Sequence, residues 1–299
     1  MTSVLWRTYK NYAGCLVRGT APISNPCLPK VHLSCAAYLT AQVEAPYFGT
    51  VQSYDGAGIS AGFLHDILVF PADLSQGSLG IVVYKVALAA MNAGGVLINE
   101  LKARGWTLGQ DGKFRDAGGA LVSGAALRNW VAPPDGKVPQ SGPQWDQAAR
   151  LALAFHNLFS DPAGFAVQEQ CAIKWLVSGN RTAETAVYQH YMNQPNLPSA
   201  DGVEVSAMPP EIHLAMSVYH SFSVNSPKVA ADCLARCPLT LSPSDFAKAL
   251  IRELGTHGRD VWHDQPGDGD NRYDRTRAAV WGRSDLFPGA ADLMPRDFA

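Results

Sequence analysis

A helical repeat stopped by proline and followed at once by a glycine-punctuated turn constrains this chain more than any other feature. From Pro29 to about Ala45, the residues Val31, Cys35, Tyr38, Leu39 and Gln42 recur at helical spacing, and Pro29 sits where a first turn accepts proline. Pro46 cannot continue the helix, so Glu44 falls at or near its C-terminal end. Phe48 to Tyr54 then alternates and carries Thr50, Val51 and Tyr54, which favours a short strand. Asp55-Gly56-Ala57-Gly58 supplies residues tolerant of positive φ, and Ile59 to Phe63 can return as the partner strand. The pattern predicts a helix and then a tight hairpin, with Asp55 at its tip and Ser60 on the returning strand.

Around this centre the chain divides by composition. Residues 1–28 mix Gly, Pro, Asn and Ser in irregular order and predict a loosely structured lead-in over the surface. Residues 29–103 form the first half of the main domain. Their longest apolar stretch, Leu79 to Ile98, is long enough to cross a bilayer, yet Lys85, Asn92 and the Gly94-Gly95 pair make it a buried helix instead. Residues 104–143 turn to Gly, Pro and the pairs Asp111-Gly112 and Asp135-Gly136, interleaved with Trp106, Phe114 and Trp130, and predict a hairpin-rich insertion. From 144 to 256 the pattern is helical: Gln144 to Phe159, Pro162 to Val177, Thr182 to Met192, Pro210 to Phe222 and Pro243 to Leu254. Ser141 with Gln144 has capping-box spacing, and Ser242-Pro243-Ser244-Asp245 joins a capping residue to a first-turn proline. Residues 257–299, rich in Asp, Arg, Gly and Pro, predict a tail wrapped on the surface and anchored by Trp262, Trp281 and Phe287. The fold class expected is α+β, mainly α-helical, with one small hairpin at a cleft.

Glu44 and Asp55 are the candidate chemistry. Cleaving a glycosidic bond takes one carboxylic acid to protonate the leaving oxygen and a second carboxylate to activate water or attack the sugar. Glu44 beside Val43, Tyr47 and Phe48 has neighbours that would desolvate it, whereas Asp55 on a glycine-rich tip would remain solvated and ionised. Unlike environments divide the two roles.

A helix-end Glu followed by an Asp-Gly-x-Gly-x-Ser-x-Gly hairpin resembles the lysozyme-like superfamily, in particular its chitosanase branch and the peptidoglycan-cleaving muramidases related to it. The likeness covers residues 38–64, with a looser similarity from Ala148 to Leu176. It implies a lysozyme-like fold, Glu44 as general acid, Asp55 as the base that orients water and Ser60 as the hydroxyl beside that water. His65 stands about where muramidase relatives carry Gln. Tyr47, Tyr54 and Trp106 are candidate sugar-stacking residues, and the substrate implied is a β-1,4-linked amino-sugar polymer, peptidoglycan first and chitosan second. No cofactor is required, and the partners expected are the polysaccharide and a delivery or immunity protein.

Other motifs compete with this reading. Gly58-Ile59-Ser60-Ala61-Gly62 matches the nucleophile elbow of serine esterases, but too little chain precedes Ser60 to build the sheet an elbow needs. A glycan-binding protein without activity is a further alternative. Cys233 and Cys237 share a helical face and read as two small buried residues, since the six cysteines offer no second pair nearby. His213 and His220 lack the acidic partner of a zincin helix. Asp264, Asp268, Asp270 and Asp274 fail the EF-hand pattern at Pro266 and Arg275, so no metal site is expected. With 24 Lys and Arg against 26 Asp and Glu, the chain has no electrostatic footprint for nucleic acid or an anionic membrane. Arg7, Lys10 and Asn11 interrupt any secretory apolar run, so the expectation is cytoplasmic synthesis followed by delivery to the wall or periplasm through phage lysis or a dedicated secretion system.

Overall fold

A computed structural model describes residues 3–9, 12–28, 32–54, 56–131, 142–177, 186–187, 189–191, 209–223, 227–238, 241–258 and 278. The protein is α+β, and helices make up the larger share of it. It divides into two units: residues 1–24 with 45–171, and residues 25–44 with 172–299.

The first unit is built on a five-stranded antiparallel sheet of order β1-β2-β5-β6-β7. Its strands are β1 (Val4–Tyr9), β2 (Tyr12–Val17), β5 (Val51–Gln52), β6 (Ser60–Ala61) and β7 (Asp66–Ile67). Three two-stranded pairs flank it: β3 (Ala21–Pro22) with β4 (Tyr47–Phe48), β8 (Val69–Phe70) with β9 (Ser75–Gln76), and β10 (Thr107–Leu108) with β11 (Phe114–Arg115). The helices are α2 (Leu79–Ala89), α3 (Met91–Ala103), α4 (Gly124–Val131), α5 (Pro143–Ser160) and α6 (Phe165–Val177), with a single 3₁₀ turn at Pro162–Gly164; the boundary between the units falls inside α6. Helix α5 is the spine. Trp145, Ala148, Leu151, Ala152, Phe155, Leu158 and Phe159 recur every three or four residues, and the stripe lies buried where α5 packs against β2, β5, β6, α3 and α4. Each such aliphatic or Phe side chain taken fully from water contributes about 1.5–3 kcal/mol.

The second unit holds α1 (His32–Glu44), α7 (Pro210–Ser223), α8 (Pro227–Arg236) and α9 (Pro243–Gly258). Helix α7 packs against α1, α8 and α9, and it buries Ile212, Leu214, Ala215, Met216, Val218 and Tyr219. Ser242 caps α9 as its sequence predicts: its Oγ accepts the Asp245 N–H at 3.2 Å and donates to Asp245 Oδ2 at 2.7 Å. Cys233 and Cys237 are buried free thiols, and Cys237 Sγ lies 3.4 Å from the Cys233 carbonyl one turn back. Residues 186–187 and 189–191 are helical within the predicted Thr182–Met192 helix.

Several expectations need correcting. The supposed lead-in holds β1 and β2, which pair along their whole length from Val4↔Val17 to Tyr9↔Tyr12. Lys10 and Asn11, which break the apolar run, lie outside the described residues. Leu79 to Ile98 is two helices rather than one. The Ala90 N–H bonds Val86 O at 2.8 Å, and backbone angles of −105° and 63° at Ala90 end α2 and let α3 start in a new direction. No helix among the described residues is long and apolar enough to cross a membrane. The described residues 104–131 are part of the first unit's core, because Phe114, Leu127 and Trp130 are buried in one cluster with α5; they hold the β10–β11 hairpin and α4, and residues 132–141 lie outside the described residues. The predicted capping box at Ser141 is replaced by Gly142, whose φ of 133° suits glycine, and no side chain caps that end. Of the 257–299 tail, only the end of α9 and Ala278 lie among the described residues, so its anchors Trp262, Trp281 and Phe287 and its acidic loop fall outside them.

Candidate functional site

The predicted hairpin forms with the predicted partners. Val51 pairs with Ala61 and Gln52 with Ser60, so β5 and β6 flank a connection that runs from Ser53 to Ile59. Both ends of that connection are fastened. At its start, the Ser53 N–H donates to Cys15 O at 2.8 Å and the Ser53 Oγ accepts the Cys15 N–H at 2.9 Å, which binds it to β2. At its end, Ala57 O accepts N–H groups from Ile59 (3.0 Å) and Val69 (3.1 Å), while Leu68 N–H donates to Ile59 O at 2.8 Å. Gly58 has a φ of 75°, a left-handed conformation that a side chain would strain. The preceding β4–β5 turn is tied to α5, where His156 Nδ1–H donates to Gly49 O at 2.7 Å. That bond sets the ring tautomer.

Glu44 is the last residue of α1, as its sequence predicts, and belongs to the second unit; its side chain lies outside the described residues. Asp55 lies outside the described residues too. Ser60 is only 3% exposed and sits inside β6, which runs on through a turn into β7. An elbow serine needs a strand, a sharp turn and then a helix, with its hydroxyl open to substrate, so Ser60 does not fit the esterase alternative. Tyr54, within the connection, is half-buried. His65 follows in the turn closed by its own N–H to Gly62 O at 3.1 Å, and its φ of 55° is uncommon for a residue with a side chain. Tyr47 is 45% exposed on β4. Trp106 is not at the hairpin: it stands edge-on to Trp130 at 5.5 Å, under the Arg104 guanidinium, and lines a separate groove beside α2 and α3.

Three neighbours of the hairpin had no signal in the sequence reading. A Cβ on Gly56 would come within 3.3–3.4 Å of Pro71 and the Tyr12 ring, and one on Gly58 would lie 3.1 Å from Arg128 Cα. Tyr12 and Arg128 therefore stand beside the connection from opposite ends of the unit's sequence. The Arg128 guanidinium lies 5.8 Å from the Tyr12 ring centre, bonds only Asn129 Oδ1 at 3.4 Å, and has no carboxylate partner among the described residues. Gln168 of α6 reaches Gly62, just beyond β6. Its Nε2 donates to Phe159 O at 3.1 Å, and a Cβ on Gly62 would lie 3.7 Å from its Oε1, which has no partner among the described residues. Beside it Glu169 is fully buried, a second shielded carboxylate in this unit with Asp66, which accepts the Ser78 hydroxyl at 2.9 Å. Among the described residues no three His, Cys, Asp or Glu side chains gather as a metal would require.

Comparison with family models, with curated proteins and with solved structures gives no match to this chain.

Proposed function

We propose that this protein hydrolyses a β-1,4-linked amino-sugar polymer, with peptidoglycan as its substrate. The observation that supports the reading is the hairpin itself: β5 paired with β6, the sequence between them carrying the glycine-flanked Asp55, and α1 ending at Glu44 earlier in the chain. In this mechanism Glu44 protonates the glycosidic oxygen and Asp55 orients the attacking water, while Ser60, buried inside β6, has no place beside that water. Arg128 favours peptidoglycan over chitosan. An arginine with no carboxylate partner among the described residues suits a glycan bearing carboxylates, whereas chitosan is a polycation.

Clearing of purified cell wall embedded in a gel tests the proposal. Wild type should clear, Glu44→Gln should clear ~100-fold less or worse, the usual scale for losing a general acid, and Arg128→Glu should fall between them. Equal clearing by wild type and Glu44→Gln would remove Glu44 from the mechanism. Wall binding without clearing by wild type would leave a glycan-binding protein. Product stereochemistry then reports the spacing of the acids: inversion for carboxyl groups ~6.5–9.5 Å apart, retention for ~5–5.5 Å.

A further inference from the structure

Away from the hairpin, α2 and α3 enclose a groove that the proposed hydrolysis does not use. From Val86 to Asn99 the sequence has no charged residue. The break at Ala90 folds this stretch into two helices that approach closely at the corner, where a Cβ on Gly94 would come 2.8 Å from the Ala87 Cβ. Positions three and four apart on each helix then face a common space of about 240 Å³, closed on one side by Trp106 and β10. That is small beside the ~300–1,000 Å³ of sites for drug-sized ligands, which favours a single slender chain. Its rim is apolar and open, with Leu88 63% and Ile98 40% exposed. Of the large apolar side chains exposed in the described residues, Leu88 and Ile98 line this groove, one from each helix, which marks it as a binding surface.

One charge lines the groove. Lys102 stands on the α3 stripe one turn beyond Ile98, at the end of α3 away from the Ala90 corner, and makes no ion pair among the described residues. The geometry points to a binding site for a free single-chain amphiphile with an anionic head, such as a medium-chain fatty acid, its hydrocarbon tail along Leu88 and Ile98 and its carboxylate on the Lys102 ammonium. Lys102 as the one lining cation, with Arg104 held over the Trp106 ring beside it, in a chain whose formal net charge is −2, matches one acidic head better than the surface of an anionic bilayer.

Titration of the full chain with decanoate below its micelle concentration, read by calorimetry, tests this, with decanol as the neutral probe of equal length and phosphatidylglycerol vesicles as the bilayer. Saturable decanoate binding is expected. Lys102→Glu should weaken it about tenfold, the factor a charge-assisted hydrogen bond commonly carries, and leave decanol binding within about twofold. Ile98→Asp should weaken both ligands. These positions are exposed or at the rim, and an unchanged far-ultraviolet spectrum confirms that each variant is folded. Absence of saturable decanoate binding, equal loss of both ligands in Lys102→Glu, or co-sedimentation with vesicles without decanoate binding would each overturn the assignment. None of these readouts depends on glycan cleavage, so the two proposals stand or fall separately.

Discussion

Burial acts on single residues most visibly at the thiols. Cys15 lies at the centre of β2 and Cys237 just beyond α8, and in each case burial pushes the thiol from its ordinary 9.0 up to about 12; at Cys15 the hydrogen bond with Ser53 opposes that shift in part. Below pH 9 both thiols are protonated in the folded and the unfolded chain, and this part of the stability is fully present. Between pH 9 and 12 the unfolded chain releases protons that the folded chain keeps, so stability falls as pH rises through that window. Circular dichroism during alkaline titration should show unfolding setting in above pH 9, and the pair Cys15→Ala with Cys237→Ala should flatten its onset; an unchanged profile would assign the loss to other groups. At this scale only part of what surrounds the hairpin is legible in the sequence. Glu44 and Asp55 are conspicuous because Pro46 and the glycines bracket them, whereas Tyr12, Arg128 and Gln168 reach the hairpin only through tertiary packing and leave no local mark.

Elements join through side chains that sequence patterns treat as loop. Gln76, in the unremarkable run Ser75-Gln76-Gly77, is buried and spans three partners: its Oε1 accepts the Phe114 N–H at 2.8 Å, and its Nε2 donates to Phe114 O at 2.9 Å and Val122 O at 2.8 Å. One amide thus stitches β9 to β11 and to the residues leading into α4. Gln76→Ala would leave the Phe114 N–H and the Val122 carbonyl without this partner at about 1–3 kcal/mol each, while Phe114 O keeps the Val122 N–H at 2.9 Å, so urea unfolding should show a loss of about 2 kcal/mol or more. Ser242→Ala, which removes only the exposed cap of α9, should cost about 1 kcal/mol. Equal losses would mean that the Gln76 site relaxes or takes up water. Helices α1 and α9 are legible because proline and caps punctuate them. Strands β1 and β2 are not, because β2 reads Tyr-Ala-Gly-Cys-Leu-Val, with small residues where a strand usually alternates large with polar.

At the scale of the molecule, the first unit is discontinuous in sequence: the chain leaves it after Ser24 and rejoins it at Ala45. The exit and return are paired, since β3 lies antiparallel to β4 with Pro22 opposite Tyr47, and the Ile23 N–H donates to Pro46 O at 2.9 Å. A chain of residues 1–171 with a short Gly-Ser linker in place of 25–44 should therefore keep one cooperative thermal transition by circular dichroism, and a broad, gradual loss of signal would count against autonomy of this unit. Such a division is hard to read from sequence, because one boundary lies within α6 between Cys171 and Ala172, where no glycine, proline or charge run marks it. The thiols have a consequence for the covalent chain as a whole. Cys15, Cys171, Cys233 and Cys237 are buried and unbridged, and the raised values at Cys15, Cys233 and Cys237 keep those sulfurs out of the thiolate form that oxidants and disulfides attack. Burial thus disfavours both oxidation and disulfide exchange at Cys15, Cys233 and Cys237.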